Sequence, residues 1–471
     1  MRRFAVPLLC SAAVLAACSS GTASDDTTTT SRAASTTASS TTTTVDEVTA
    51  RCTFDYRSQL SLLDPTTGEL RWTSDIAVND RFAPLLMNGM AYSATVGTVE
   101  AVDLRTGDIV WTWAVGGTDY SRGTVATDDV IAVLTGTRLV GLDPATGDEM
   151  WERANDSEFV AVASATAGPE LAAAPRTAGV VPLLDDGHVI ALDPTTGTER
   201  WRADAAKDWS FGPWVQGGMV LHVTFEGSVT AYDIATGAQR WQWTTRPGVA
   251  VRPTAQGDDR TVVVATTGYL GNPDGITPPS DAEQLLGLDL GTGAASWTVP
   301  LPPDTQWWSA VTSGGAMAVN GVPSGDSGYE SRAIDIDDGT TRWSWPTGFS
   351  YLPTVNPIAD GFLLSSPAEP GSTSPSWAWV ALGADGTPRW LTSSAHEARF
   401  VLEHDGVTLV AASVDRSVEA IDAAENGAVI AIDPDTGAAR WSTPLRDAVR
   451  WLGATDDGVL VFSSDDGIFC D

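Results

Sequence analysis

Short apolar runs of β-compatible length alternate with polar turns along most of the chain beyond residue 50. The clearest stretch is Ala191-Leu192-Asp193-Pro194-Thr195-Thr196-Gly197-Thr198-Glu199-Arg200-Trp201. It predicts strand, tight turn, strand. Asp193 can accept hydrogen bonds from the turn's own N–H groups, and Pro194 presets φ. Gly197 supplies the positive-φ residue that closes the hairpin. Trp201 then stands on the outgoing strand as a large apolar wedge. One hairpin of this kind does not fold alone.

The spacing Asp, four residues, Gly, four residues, Trp recurs as Asp64/Gly68/Trp72, Asp103/Gly107/Trp111, Asp143/Gly147/Trp151 and Asp193/Gly197/Trp201. It continues as Asp233/Gly237/Trp241, Asp289/Gly293/Trp297, Asp335/Gly339/Trp343 and Asp433/Gly437/Trp441. A shortened copy runs from Ala384-Asp385-Gly386 to Trp390. The period is roughly 40 to 55 residues, the range of propeller blades. Two further apolar runs precede most copies, giving four strands per repeat, A to D, with the motif on C and D. Such repeats predict an all-β fold, a single β-propeller of eight or nine four-stranded blades. The nine motif tryptophans are expected to pack between blades.

Ala-Leu-Asp-Pro-Thr-Thr-Gly-x-x-x-Trp resembles the tryptophan-docking repeat of the pyrroloquinoline-quinone-type propellers. That superfamily includes quinoprotein dehydrogenases and non-catalytic lipoprotein propellers such as the outer-membrane assembly factor of Gram-negative bacteria. The resemblance covers nearly all of Cys52 to Asp471 and implies the fold more than an activity. It implies closure of the ring by pairing of N- and C-terminal strands, with Arg57 to Trp72 supplying C and D and the segment from Val449 supplying the other two.

Met1-Arg2-Arg3 is a basic n-region and Phe4 to Ala17 an apolar h-region too short to span a membrane as a mature helix. Leu15-Ala16-Ala17-Cys18 resembles the lipobox of bacterial lipoproteins, which implies cleavage before Cys18 and a lipid on its sulfur. The division is residues 1–17 signal peptide, 18–50 Ser/Thr-rich tether and 51–471 propeller. The tether lacks apolar bulk and has a reach of about 30 Å. Cys10 leaves with the signal. Cys52 and Cys470 then stand at the two ends of the folded part, where a disulfide would lock the closing joint; two unpaired thiols are the alternative.

The formal net charge is −33, and Lys207 is the sole lysine. That balance argues against nucleic acid and anionic membrane surfaces as partners. Antiparallel geometry puts C–D and A–B turns on one face of the disc and B–C and D–A connections on the other. Four B–C connections are long: Tyr269 to Glu283, Ser324 to Glu330, Ala368 to Ser376 and Val414 to Gly427. Long loops on a rigid scaffold commonly carry binding. On the same face aromatics recur after most motif tryptophans: Phe82, Tyr120, Phe159, Trp209, Trp307, Trp308, Tyr351, Phe400 and Trp451. Arg81, Arg122, Arg252, Arg399 and Arg450 accompany several of them. The first reading of this ring is structural, sealing blade contacts. The second makes Trp209, Arg252, Trp307, Trp308, Tyr351, Arg399, Arg450 and Trp451 a candidate binding face.

Catalytic chemistry is not evident. The sequence has no adjacent Cys-Cys pair of the kind found in quinoprotein alcohol dehydrogenases and no Cys-x-x-Cys-His haem site. His188, His222, His396 and His404 lack metal-ligand spacing. Gly325-Asp326-Ser327-Gly328 has no matching His/Asp arrangement, and Asp335-Ile336-Asp337-Asp338-Gly339 occupies a repeat turn without the closing Glu of a calcium loop. The expectation is a monomeric, extracytoplasmic, lipid-anchored scaffold without cofactor or metal, binding an unidentified protein or envelope component. The alternative is a small-ligand or sensor propeller using the central channel, with the arginines contacting an anion. A quinone-dependent dehydrogenase stands third.

Overall fold

Strands B and C carry the longest apolar runs because each lies between two neighbouring blades and loses water on both faces. In the computed structural model, Val220, Leu221 and Val223 of one B strand are buried, as are Val229, Ala231 and Tyr232 of the C strand beside it. The outer D strand faces a neighbour on one side only. Along Gln239–Thr244, Trp241 is therefore buried while Gln239, Arg240, Gln242 and Thr244 are exposed. The structure describes residues 52–53, 58–76, 84–94, 97–116, 121–154, 179–205, 210–225, 227–254, 260–268, 279–302, 310–324, 328–346, 354–367, 377–413, 427–464 and 469–470.

One blade consists of Ser210–Gln216, Met219–Thr224, Ser228–Asp233 and Gln239–Thr244, paired antiparallel in that order. Nine such sheets form the ring. In chain order they span residues 85–114, 121–154, 181–204, 210–244, 249–300, 310–346, 354–394 and 397–445. The ninth is the closing blade, ordered Leu70–Ile76, Ser58–Leu63, Gly458–Ser464, Ala448–Thr455. Eight blades have four described strands; the third has three, Val181–Asp185, His188–Leu192 and Glu199–Asp204. The higher of the two expected counts is therefore the right one. The shortened copy at Asp385 contributes a full blade, because only its turn is abbreviated.

Core sits between blades rather than inside them. One cluster joins Trp214, Leu221, Val229 and Trp241 of the fourth blade to Val251, Val262, Leu286 and Leu288 of the fifth. Each motif tryptophan reaches onto the C–D turn of the next blade. A Cβ on Gly237 would lie 2.6 Å from the Trp201 ring, and Gly237 has φ of 70°, so glycine is required there on both counts. The same contact repeats from Trp72 on Gly107 round to Trp441 on Gly68, which closes the circle. Trp201 is 7% exposed, as a blade-gap wedge should be, whereas Trp72, Trp111 and Trp441 are half-buried.

Two further devices hold each ring in place. Across its own C–D pair the tryptophan faces a small residue in eight blades, Ala101, Gly141, Ala191, Ala231, Gly287, Ala333, Ala381 or Ala431; in the closing blade it faces the larger Leu62. Its indole N–H donates to a carbonyl in the next turn, as Trp151 does to Pro194 at 2.7 Å and Trp441 to Pro65 at 3.1 Å. Trp343 has no such partner. The turn it meets runs Gly383 to Thr387 and is one residue shorter, its hydrogen bonds being Gly386 N to Gly383 O and Gly383 N to Thr387 O.

Cys52–Cys470 form one compact unit. Met1–Arg51, where the signal peptide, Cys18 and the tether are expected, lies outside the described residues. At the end of the closing blade Cys52–Thr53 pairs antiparallel with Phe469–Cys470, and the register sets Cys52 opposite Cys470.

Candidate functional site

The C–D turns place carboxylates all round one face, and the fold uses them internally. Asp193 accepts from Thr195 N at 3.0 Å and Thr196 N at 3.1 Å, while its main-chain oxygen accepts from Gly197 N at 2.9 Å. Seven residues on, the Arg200 guanidinium donates to the outer carboxylate oxygen at 2.7 Å. Arg71–Asp64, Arg240–Asp233, Arg342–Asp335 and Arg440–Asp433 repeat this pair. The arginine partner is the first cause that holds Asp64, Asp233 and Asp433 down at about 2. The same guanidinium groups reach the neighbouring A–B turn: Arg200 to Gly179 O and Arg342 to Gly314 O, both at 2.8 Å, and Arg71 to Asp457 O. That stitching puts C–D and A–B turns on one face. The Asp-to-Arg spacing of seven was readable in the sequence and passed unused.

The strand ends that lead into the B–C and D–A connections stand at the other face. Most of the length of these connections, including 269–278, 325–327, 368–376 and 414–426, lies outside the described residues, as do Trp209, Trp307, Trp308 and Tyr351. The remaining candidates separate into two kinds. Trp451 is 8% exposed and packs with Leu60, Leu62, Leu460 and Phe462. A Cβ on Gly453 would come within 2.1 Å of its ring, so Trp451 is core and takes the sealing role rather than that of an anchor. The arginines stand differently. Arg252 is exposed on the inner strand Val249–Pro253, its guanidinium 5.7 Å from the Phe225 ring centre.

Arg399 and Arg450 lie on the inner strands Glu397–His404 and Ala448–Thr455. In both strands the register with strand B skips the arginine, between Ala398 and Phe400 and between Val449 and Trp451. The skip recurs between Ser121 and Gly123, where the residue is Arg122. These bulges were not foreseen, although the recurrence of arginine was. Arg399 Nε stands 3.3 Å from Glu397 Oε2, and Arg450 Nε donates to Ser464 Oγ at 3.1 Å. Glu397 also accepts from the Thr354 hydroxyl at 2.8 Å on the adjoining blade. The arrangement offers oriented cationic groups at the inner rim. Among the described residues no group of three or more His, Cys, Asp or Glu is placed to hold a metal.

The family model described as outer membrane protein assembly factor BamB matches residues 20–180 and 185–350. Among curated proteins none matches the sequence. Similar solved structures include BamB from Moraxella catarrhalis, at 16% identity over 72% of this chain and 95% of that one, with a TM-score of 0.45. A eukaryotic initiation factor aligns at 9% identity over 86% of this chain and 98% of that one, with a TM-score of 0.52. Quinohemoprotein alcohol dehydrogenase from Comamonas testosteroni aligns at 12% identity over 86% and 76%, with a TM-score of 0.43. At these identities the likeness is one of fold.

Proposed function

The chain belongs to the family of the outer membrane protein assembly factor BamB, and from that premise we propose that it is a non-catalytic scaffold, anchored by lipid outside the cytoplasmic membrane. It binds a protein partner or envelope component through the face that carries the B–C and D–A connections. One observation carries the choice of face. On the opposite face five of the nine turn carboxylates are paired with the arginine seven residues on, and Arg200 and Arg342 also reach adjoining carbonyls, which favours the side with the long connections for complementarity. The anchor rests on the lipobox at Leu15 to Cys18 and the Ser/Thr-rich tether behind it.

Crosslinking of intact membranes, followed by purification of the full chain and identification of its adducts, tests the scaffold. The expected adducts map to residues of the B–C and D–A connections; adducts confined to the C–D turns would reverse the assignment of faces. The anchor is tested with Cys18→Ala, which is expected to move the protein from the membrane to the soluble fraction. Retention of that variant on salt-washed membranes would remove the lipid from the proposal.

A further inference from the structure

The arginines divide by face. Arg71, Arg200, Arg240, Arg342 and Arg440 each pair with a turn aspartate. At the opposite rim an arginine occupies the skipped position of the inner strand in the second, eighth and closing blades. A bulge re-aims the side chain it carries and is tolerated where pairing can be interrupted. Among the described residues the inner strand is interrupted in four blades, at Gly212-Pro213 in the fourth and at an arginine in the other three, so arginine is the prevailing residue at a recurrent position. The eighth and closing blades lie side by side through these inner strands, so Arg399 and Arg450 hold equivalent positions on adjacent strands. Each is oriented through Nε, by Glu397 in one case and Ser464 in the other.

We propose that Arg399 and Arg450 form a binding site for a multivalent oxyanion at the inner rim of the ring, on the face of the D–A links. The ligand class is a small molecule or chain segment with two or more phosphate or carboxylate groups. Planar guanidinium forks match both groups in bidentate geometry, and two forks on adjacent strands select for more than one charge. The chain carries a net charge of −33, so it repels anions at long range. A site for them therefore needs cations gathered locally, as they are here. Glu397 opposes binding, because its carboxylate already occupies one side of Arg399.

Titration calorimetry of the full chain at low ionic strength, with tripolyphosphate in one arm and citrate in the other, tests the site and separates phosphate from carboxylate ligands. Saturable binding in at least one arm is expected, weakening as salt is added. Arg399→Ala with Arg450→Ala is expected to weaken it by roughly tenfold to a hundredfold. Arg252→Ala, three blades from Arg399 and four from Arg450, should leave it unchanged. Glu397→Gln should tighten it, a gain that damage to the fold would not produce. No binding in either arm overturns the proposal, as does an equal effect of Arg252→Ala. If the double variant fails to fold, Glu397→Gln decides alone: tighter binding supports the site, and unchanged or weaker binding overturns it.

Discussion

Trp343 is one hydrogen bond short of its counterparts. It meets Gly386 through Cβ, Cγ and Cδ1, where most other motif tryptophans present Cδ2 and Cε3 to their glycines, and its indole N–H finds no acceptor in the shortened turn. Trp297, buried to a similar degree, donates to Ile336 O at 2.7 Å. Phenylalanine at either site loses similar area, but only Trp297 has a bond to lose. Trp297→Phe is therefore expected to destabilise the protein by about 1 kcal/mol more than Trp343→Phe in urea unfolding. Equal losses would show that the bond contributes nothing net. The docking itself was legible: Asp, Gly and Trp at fixed spacing announce the turn, its tight spot and its wedge, and Ala191 or Ala231 announces the small partner. The missing bond was not legible, because its acceptor belongs to another repeat whose turn must be superposed to be missed.

His222 brings a cost to the strand Met219–Thr224. By alternation it shares the face of Val220, which packs against the third blade, and it sits opposite Thr230 on the next strand. It is buried, its Nε2 lacks a partner, and burial pushes its pKa down to about 4. Above roughly pH 6.5 the imidazole is neutral in both folded and unfolded chains. As pH falls from there to about 4, only the unfolded chain takes up the proton, so stability declines across that window. The decline attributable to this residue is up to about 3 kcal/mol, and His222→Leu should flatten it. Unfolding free energy measured against pH checks this; parallel profiles for the two proteins would refute it. Asp64, Asp233 and Asp433 act lower: held near 2, they contribute stability above the usual carboxylate range that is lost only as pH falls toward that value. The apolar runs of strands B and C were plain in the sequence because both faces are covered. The bulges at Arg399 and Arg450 were hidden, since a register skip is a property of two strands and leaves no mark in one. For the candidate face, loop lengths were readable but loop contacts were not.

Across the whole molecule the ends matter most. The sequence left the count open between eight and nine, because the copies added up to nine while propellers typically have eight blades or fewer. The register that sets Cys52 opposite Cys470 suits the expected disulfide. A non-reduced digest is expected to yield the two cysteines in one crosslinked peptide pair, and Cys52→Ser with Cys470→Ser to cost about 2–4 kcal/mol. Two free thiols in the oxidised, folded protein would rule the bond out. The closing blade also imposes an order of events during biogenesis. Ser58–Leu63 is made well before its neighbour Gly458–Ser464. At 5–20 residues per second roughly 20–80 s separate them. Throughout that interval a nascent chain holds an unpaired apolar edge, and contacts so distant in sequence form slowly. The seam is thus the step at which a holding chaperone would protect the chain, and truncation near the C-terminus would strand the first strands as well as remove the last.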